Sequence, residues 1–303
     1  MPRGVPKNGI RMTKGRIAAM KAGHAPTTPI AKSASDIGQL GQVFAEETHE
    51  TDEQILARLD ERFEVLEDMT AMAFTGDVKG LVVSGPPGVG KSFTIFDAIK
   101  QIDDSRVEVI SGKVKTTGLF KLLYRHRKPG HVVVFDDSDT ILTDEDSLNM
   151  LKKVIDTMKD RNVSYLADYD MVDEASGDVI PKTFKFEGSI IFITNLDFDA
   201  LIGRGHRLAP HLEAIVSRSH YIDLAMKTRR DYMLRIKQVI GQGMLTEQGL
   251  TDIQTKEVVD FIEENQDNLR ELSLRIAVKL GVLCRTQKNW KRTARVTCCR
   301  GIT

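Results

Sequence analysis

The stretch GLVVSGPPGVGKSFTIF, residues 80–96, restricts the fold more than any other part of the chain. Its apolar start reads as a buried strand, the glycine-rich run as a tight turn, and the residues from Lys91 to about Ile102 as a helix. Strand, turn and helix in that order make a cradle for phosphate. Gly85, Gly88 and Gly90 permit torsions that turn backbone N–H groups inward, and the helix presents its positive end to the same anion. Lys91 is placed to reach the β- and γ-phosphates of a nucleotide, and the Ser92 hydroxyl to ligate Mg2+. The candidate nucleotide contacts are Gly85, Pro86, Pro87, Gly88, Val89, Gly90, Lys91, Ser92 and Phe93.

A second stretch, VVVFDDSDTI at 132–141, ends an apolar run in Asp136, Asp137 and Asp139. Crowded carboxylates repel one another unless a cation faces them. A Mg2+ ion held at the cradle is such a cation. Asp136 is the candidate metal ligand beside Ser92. Asp137, expected on the other side of the chain, is the candidate to orient or deprotonate an attacking water. Asp139 is expected to cap or support the loop.

Around these stretches strand and helix alternate. VEVISG at 107–112, SIIFITN at 189–195 and HYIDLAM at 220–226 read as strands. Helices are expected over 52–75, from an N-cap at Thr116 or Thr117 to His126, and over SLNMLKKVIDTMKD at 147–160. The pattern predicts an α/β fold with a parallel sheet between helices. After residue 227 only helical periodicity remains. The expected organisation is a disordered basic tail over 1–45, a core over 46–227, a small all-α domain over 228–284 and a basic tail over 285–303.

Lys+Arg and Asp+Glu stand at 43 each, but their layout is uneven. The first acid is Asp36, after Arg3, Lys7, Arg11, Lys14, Arg16, Lys21 and Lys32, and no acid follows Glu271. Basic ends suggest a polyanion partner. Trp290, set among Lys288, Lys291 and Arg292, reads either as a base-stacking ring or as packing. Cys284, Cys298 and Cys299 are too clustered for a disulfide framework, and no Cys/His spacing fits zinc. No secretory leader and no membrane-length apolar run is present, so a cytoplasmic location without membrane association is expected.

FDDSDTI resembles the F-D-E-x-D-x-I pattern of AAA+ ATPases, with Asp137 where that family usually has Glu. The resemblance covers about residues 50–283 and extends to AAA family ATPases encoded by bacteriophages, which would place the protein in the host cytoplasm. It implies a P-loop core with a C-terminal helical lid, and ATP and Mg2+ as cofactors. Asn195, at the end of IIFITN, is similar to sensor 1, and NLDFDAL after it to the family's T-N-x-x-x-L segment. Arg218 in VSRSHYIDL stands where the family carries its arginine finger, with Arg204 and Arg207 as alternatives. DNLRELSLR resembles the sensor 2 region, with Arg270 the better match and Arg275 the alternative, both expected on one helix. The family implies a finger acting in trans, and so a homo-oligomer, a ring or open spiral commonly of six.

Two segments bear on the substrate. VSYLADYDMVDEASGDVIPKTFKFEG, 163–188, is long for a connection, and EASGD between YDMV and TFKF suggests a β-hairpin. A hairpin there resembles the presensor hairpin of one AAA+ branch; a surface excursion is the other reading. SGKVKTTG, 111–118, resembles a pore-facing loop in which Lys113 and Lys115 could touch phosphate, and it lacks the aromatic residue of protein-threading relatives. The expectation is an ATP hydrolase acting on nucleic acid. The alternatives are a protein remodeller and an ATP-gated switch with little hydrolysis.

Overall fold

Five segments pair in parallel as one sheet, with β2 (Val107–Ser111), β3 (Val132–Asp136), β8 (Ser189–Thr194), β1 (Gly80–Ser84) and β9 (His220–Asp223) side by side in that order. They are seen in a computed structural model that describes residues 44–45, 49–100, 106–158 and 160–301. The expected N-terminal tail, 1–45, lies outside the described residues except at its end. There Phe44 packs edge-on against Tyr232, with ring centroids 5.6 Å apart.

Alternation along the strands builds two apolar layers. Leu81, Val83, Val132, Val134, Ile191 and Ile193 face α1 (Asp52–Thr75), α2 (Lys91–Ile99) and the C-terminal helices. Val82, Val133, Phe135, Ile190 and Phe192 face the opposite way, toward α3 (Thr116–Arg125), α4 (Glu145–Val154) and α6 (Ala209–Val216). Strands buried on both faces read as continuous apolar runs, which is why the sequence marks them clearly. Helix α1 begins at a capping box between Thr51 and Gln54 and ends at Gly76, whose φ of 81° closes the helix in the left-handed region.

Register carries the strands to a common carboxyl edge. Ser84 pairs with Thr194 and Asp223, while Asp136 pairs with Ser111 and Ile193. In open parallel sheets this edge is where ligands bind. After β8 the chain passes through α5 (Phe198–Gly203) and α6 into β9.

The excursion over 163–188 folds as two nested ladders. β4 (Asn162–Ser164) pairs with β7 (Thr183–Lys185), and β5 (Met171–Val172) with β6 (Val179–Ile180). A hairpin is present, but TFKF belongs to the outer ladder and does not flank the turn. Gly177, at φ 77°, tightens the turn, and the Asp173 amide donates to the Asp178 carbonyl at 2.9 Å.

The C-terminal region holds α7 (Arg229–Gly241), α8 (Asp252–Asn265), α9 (Leu274–Thr286) and α10 (Trp290–Cys298). The last helix corrects the expected basic tail over 285–303. Trp290, Ala294 and Cys298 recur every four residues and form a buried stripe, with Trp290 5.2 Å from the Phe261 ring. The surrounding bases hide that stripe in the sequence. Trp290 is packing, and its ring is not free to stack on a base. Arg270 and Arg275 do not share a helix either: α9 begins at Leu274, capped by Ser273, and Arg270 precedes it.

Candidate active site

The cradle lies where β1 reaches the carboxyl edge. Gly88 has φ 76°, and a Cβ there would meet the Cβ of Ser273 at 2.7 Å. The Leu274 amide donates to the Gly88 carbonyl at 2.8 Å. The turn is thereby clamped against the start of α9, and only glycine fits. Helix α2 follows from Gly90 with no side chain capping its first amides, so those N–H groups remain available to an anion.

Lys91 is buried, and its Nζ donates to the carbonyls of Gly85 at 2.6 Å and Pro86 at 2.9 Å and to Asn195 Oδ1 at 2.8 Å. Burial pushes its pKa down to about 8, against the pull of Asp137, while Arg275 adds to the lowering. All three ammonium donors are occupied within the chain. A phosphate must therefore replace at least one of these bonds.

Ser92 Oγ donates to Asp136 Oδ1 at 2.9 Å. Burial raises the Asp136 pKa, against the Ser92 bond, and the neighbouring Asp137 charge adds to the rise. A hydroxyl and a carboxylate this close are a hard-oxygen pair suited to Mg2+, which takes few protein ligands and completes its shell with phosphate and water. Among the described residues no group of three or more His, Cys, Asp or Glu side chains could hold a metal by itself.

Asp137 departs from the expected geometry. Strand alternation would send it to the other side of the chain. It adopts φ 50° instead, and its carboxylate accepts from Asn195 Nδ2 at 2.7 Å. Asp tolerates this left-handed conformation better than most residues. The turn brings Asp136 and Asp137 to the same rim. Asp139, which burial pushes up in pKa, accepts from Thr194 Oγ1 at 2.5 Å and supports the loop.

Beside the cradle opens a cavity of about 820 Å3. Lys91, Asp137, Asn195 and Arg275 form its polar end, and Phe93, Val239, Leu274 and Val278 line an apolar part. Size and lining suit a nucleoside with a charged tail. Of the two sensor 2 candidates, Arg275 reaches this cavity and Arg270 does not. The preference for Arg270 is therefore reversed, because the chain turns between them.

Arg218 also stands away from the cavity. Its Nη1 donates to the Ala214 carbonyl at 2.8 Å, and its Nε lies 3.9 Å from Asp156. It precedes β9 at the amino edge of the sheet, where Ser219 lies against Gly80. Arg204 and Arg207 are exposed in the α5–α6 turn. Lys113 and Lys115 are exposed after β2.

Arg235 escapes a sequence reading. On amphipathic α7 it looks like one more solvent-facing base. It is buried, with its guanidinium 3.6 Å from the centre of the Phe63 ring and Nη2 3.6 Å from where a Gly90 Cβ would stand. Nη1 donates to Gln238 at 2.8 Å, while Nε has no partner among the described residues. Burial lowers its pKa to about 10, against Asp60 and Glu67.

No family model matches the chain. It is 36% identical over 265 residues to an uncharacterized 36.7 kDa protein in the nrdC–mobD intergenic region of Enterobacteria phage T4, covering 86% of this chain and 80% of that one. Among solved structures, NtrX from Brucella abortus in complex with ADP aligns with a TM-score of 0.39 and 13% identity, over 81% of this chain and 52% of that one. The ATP complex of the same protein gives 0.32 and 15%, over 70% and 44%. The chain thus spans about half the length of NtrX. Likeness this distant leaves the chemistry to be read from the site.

Proposed function

We propose that this chain, which belongs to the same family as the phage T4 36.7 kDa protein, is an ATP hydrolase of the AAA+ class. The observation that carries the reading is the convergence of Lys91, the Ser92–Asp136 pair and the Asn195–Asp137 pair at one glycine cradle. In this reading the cradle amides and Lys91 bind the β- and γ-phosphates, and the apolar part of the cavity takes the base. Ser92 and Asp136 would hold Mg2+, which supplies charge neutralisation on the phosphates. Asp137 orients the attacking water and accepts its proton, and Asn195 holds Asp137 and the water in line. Arg275 adds positive charge at the phosphate end.

The nucleic-acid part of the reading is supported by charge placement. Lys113 and Lys115 are exposed. The inner hairpin carries Asp168, Asp170, Asp173, Glu174 and Asp178 with no base among them, so of these two segments the β2–α3 loop is the one suited to phosphate. One observation favours a second reading, an ATP-gated switch. Asp137 is a methylene shorter than Glu and is already bonded to Asn195.

The deciding experiment is steady-state ATP turnover against protein concentration, with and without single- and double-stranded DNA, with Lys91→Ala as the blank. Turnover that rises with DNA supports the nucleic-acid motor. Turnover that ignores DNA points to a protein substrate. ATP binding without turnover leaves the switch. Normal turnover by Lys91→Ala would remove the cradle from the mechanism.

A further inference from the structure

Arg270 does not reach the nucleotide cavity; it lies on a different surface. The turn before α9 and the end of α10 run side by side. Leu269 bridges Cys299, the Arg270 amide donates to the Cys298 carbonyl at 2.9 Å, and the Arg300 amide donates to the Asn268 carbonyl at 2.7 Å. This stitching fixes Arg270 and Arg300 beside the last turn of α10, which carries Arg295. Burial pushes the Cys299 thiol up in pKa, against the pull of both Arg295 and Arg270, so the two guanidinium groups share one neighbourhood.

Helix α10 turns Trp290, Ala294 and Cys298 inward and leaves Arg292 and Arg295 exposed, with Lys288 exposed just before it. On the neighbouring helices several bases are paired, Arg229 with Asp267, Lys237 with Glu263, and Lys279 with Glu271, while Lys256 and Arg285 are not among the described residues' ion pairs. Among the described residues none of Arg270, Lys288, Arg292, Arg295 and Arg300 enters an ion pair, and the acid that reaches α10, Glu257, accepts from Trp290 Nε1 at 3.4 Å. Clustered exposed cations repel one another and raise the local positive potential, which salt screens and an anionic partner relieves.

We propose that the α10 surface docks the phosphate backbone of nucleic acid. The proposal deepens and rests on the nucleic-acid part of the proposed function. The dimensions fit: α10 has nine residues, about 13 Å at the helical rise, a length along which one strand of duplex presents about four phosphates. Guanidinium forks match phosphate oxygens in geometry as well as charge. Because Trp290 is buried against Phe261, no aromatic face of α10 is offered to a base. Contacts made to phosphate position the duplex and carry no sequence information directly.

The test uses the full chain and a 30-base-pair duplex of arbitrary sequence, with affinity measured from 50 to 200 mM salt. The double variant Arg292→Gln/Arg295→Gln is compared with the parent and with Lys113→Gln/Lys115→Gln. Neither arginine touches the cradle, so turnover without DNA stays at the parent level and reports an intact fold. The expected result is affinity lowered about tenfold or more, similarly on every sequence, with the slope of log K against log salt shallower by about 1.8 at roughly 0.9 per phosphate contact. An unchanged slope in the α10 variant, with loss in the Lys113/Lys115 variant, overturns this inference and leaves the nucleic-acid reading standing. A parent chain that binds no duplex overturns this inference, and one that also binds no single strand of the same sequence, or that binds phosphatidylglycerol vesicles in place of either, overturns both.

Discussion

Asp137, bonded to Asn195, and Arg235, set against Gly90, both border the cradle, and each tests a different part of the reading. Asp137 holds a left-handed backbone and a hydrogen bond to Asn195. Its replacement by Asn preserves shape and the turn while removing the base. Asp137→Asn is expected to lower turnover by about 10²- to 10⁴-fold, the usual worth of a positioned base, with ATP affinity changed only a few-fold. Single-turnover kinetics beside equilibrium ATP binding separates the two, and unchanged turnover would remove Asp137 from the chemistry. Arg235 is a buried cation with no carboxylate in contact among the described residues, stacked on Phe63 and set against Gly90. Burying an unpaired charge is costly, so replacing it with an apolar residue of similar length relieves the fold. Arg235→Met is therefore expected to keep or raise the melting temperature. The same change weakens ATP binding about fivefold, since the cation behind the cradle is lost. A fall in both quantities together would make Arg235 a packing residue only.

At the scale of elements, α1 and α7 join the sheet to the C-terminal helices through polar contacts. Arg230 pairs with Asp52, Arg58 with Asp231 at 3.0 Å, and Gln238 donates to Asp60 at 2.6 Å. Asp231 also accepts from the Thr228 and Lys227 amides at 3.0 and 2.9 Å, closing the capping box of α7. Burial, the largest single influence, pushes its pKa up. Those amides and the Arg58 guanidinium outweigh it and hold the carboxyl below the usual range. A carboxylate with a depressed folded pKa gives stability that is complete above its unfolded pKa of roughly 3.9 and is lost as pH falls through the folded value. Asp231→Asn should destabilise the chain by roughly 2 kcal/mol at pH 7 and flatten the decline of stability below about pH 4. Urea unfolding at pH 7 and pH 3 measures both, and an equal loss at the two pH values would contradict the linkage.

Elements differ in how far the sequence discloses them. The strands bearing the cradle and the acids are buried on both faces and carry glycine or aspartate at their ends, so periodicity and punctuation agree. Helix α10 is hidden in the sequence because its buried stripe is only Trp290, Ala294 and Cys298 among bases. Arg275 is obscured because the chain breaks before Leu274, and no periodicity reveals on which side of a break a side chain falls. The shared rim of Asp136 and Asp137 depends on one torsion at Asp137, which alternation alone predicts wrongly.

At the scale of the whole molecule, the sheet separates Arg218 from the cradle. Arg218 precedes β9 beside Gly80, whereas the cradle begins after Ser84. Those four residues of strand amount to roughly 13 Å, so a guanidinium already turned toward Ala214 does not serve the cradle of its own chain. If Arg218 is the finger, it acts on a second copy through a head-to-tail contact, and such contacts close into rings or run into spirals. Arg218→Ala should then bind ATP normally and lose the rise of turnover with concentration, by about 10³-fold if the finger has its usual worth. A sharper form of the test mixes two inactive variants. An Asp137→Asn subunit still carries Arg218, and an Arg218→Ala subunit still carries Asp137. Where the first faces the cradle of the second, a complete site forms. Random equimolar mixing places the pair in that order at about a quarter of head-to-tail interfaces, so up to about a quarter of parent turnover should return. Native mass spectrometry of the mixture establishes that the subunits exchange. Mixed assemblies that remain inactive would assign Arg218 to its contacts with Ala214 and Asp156, and the finger would then be sought at Arg204 or Arg207.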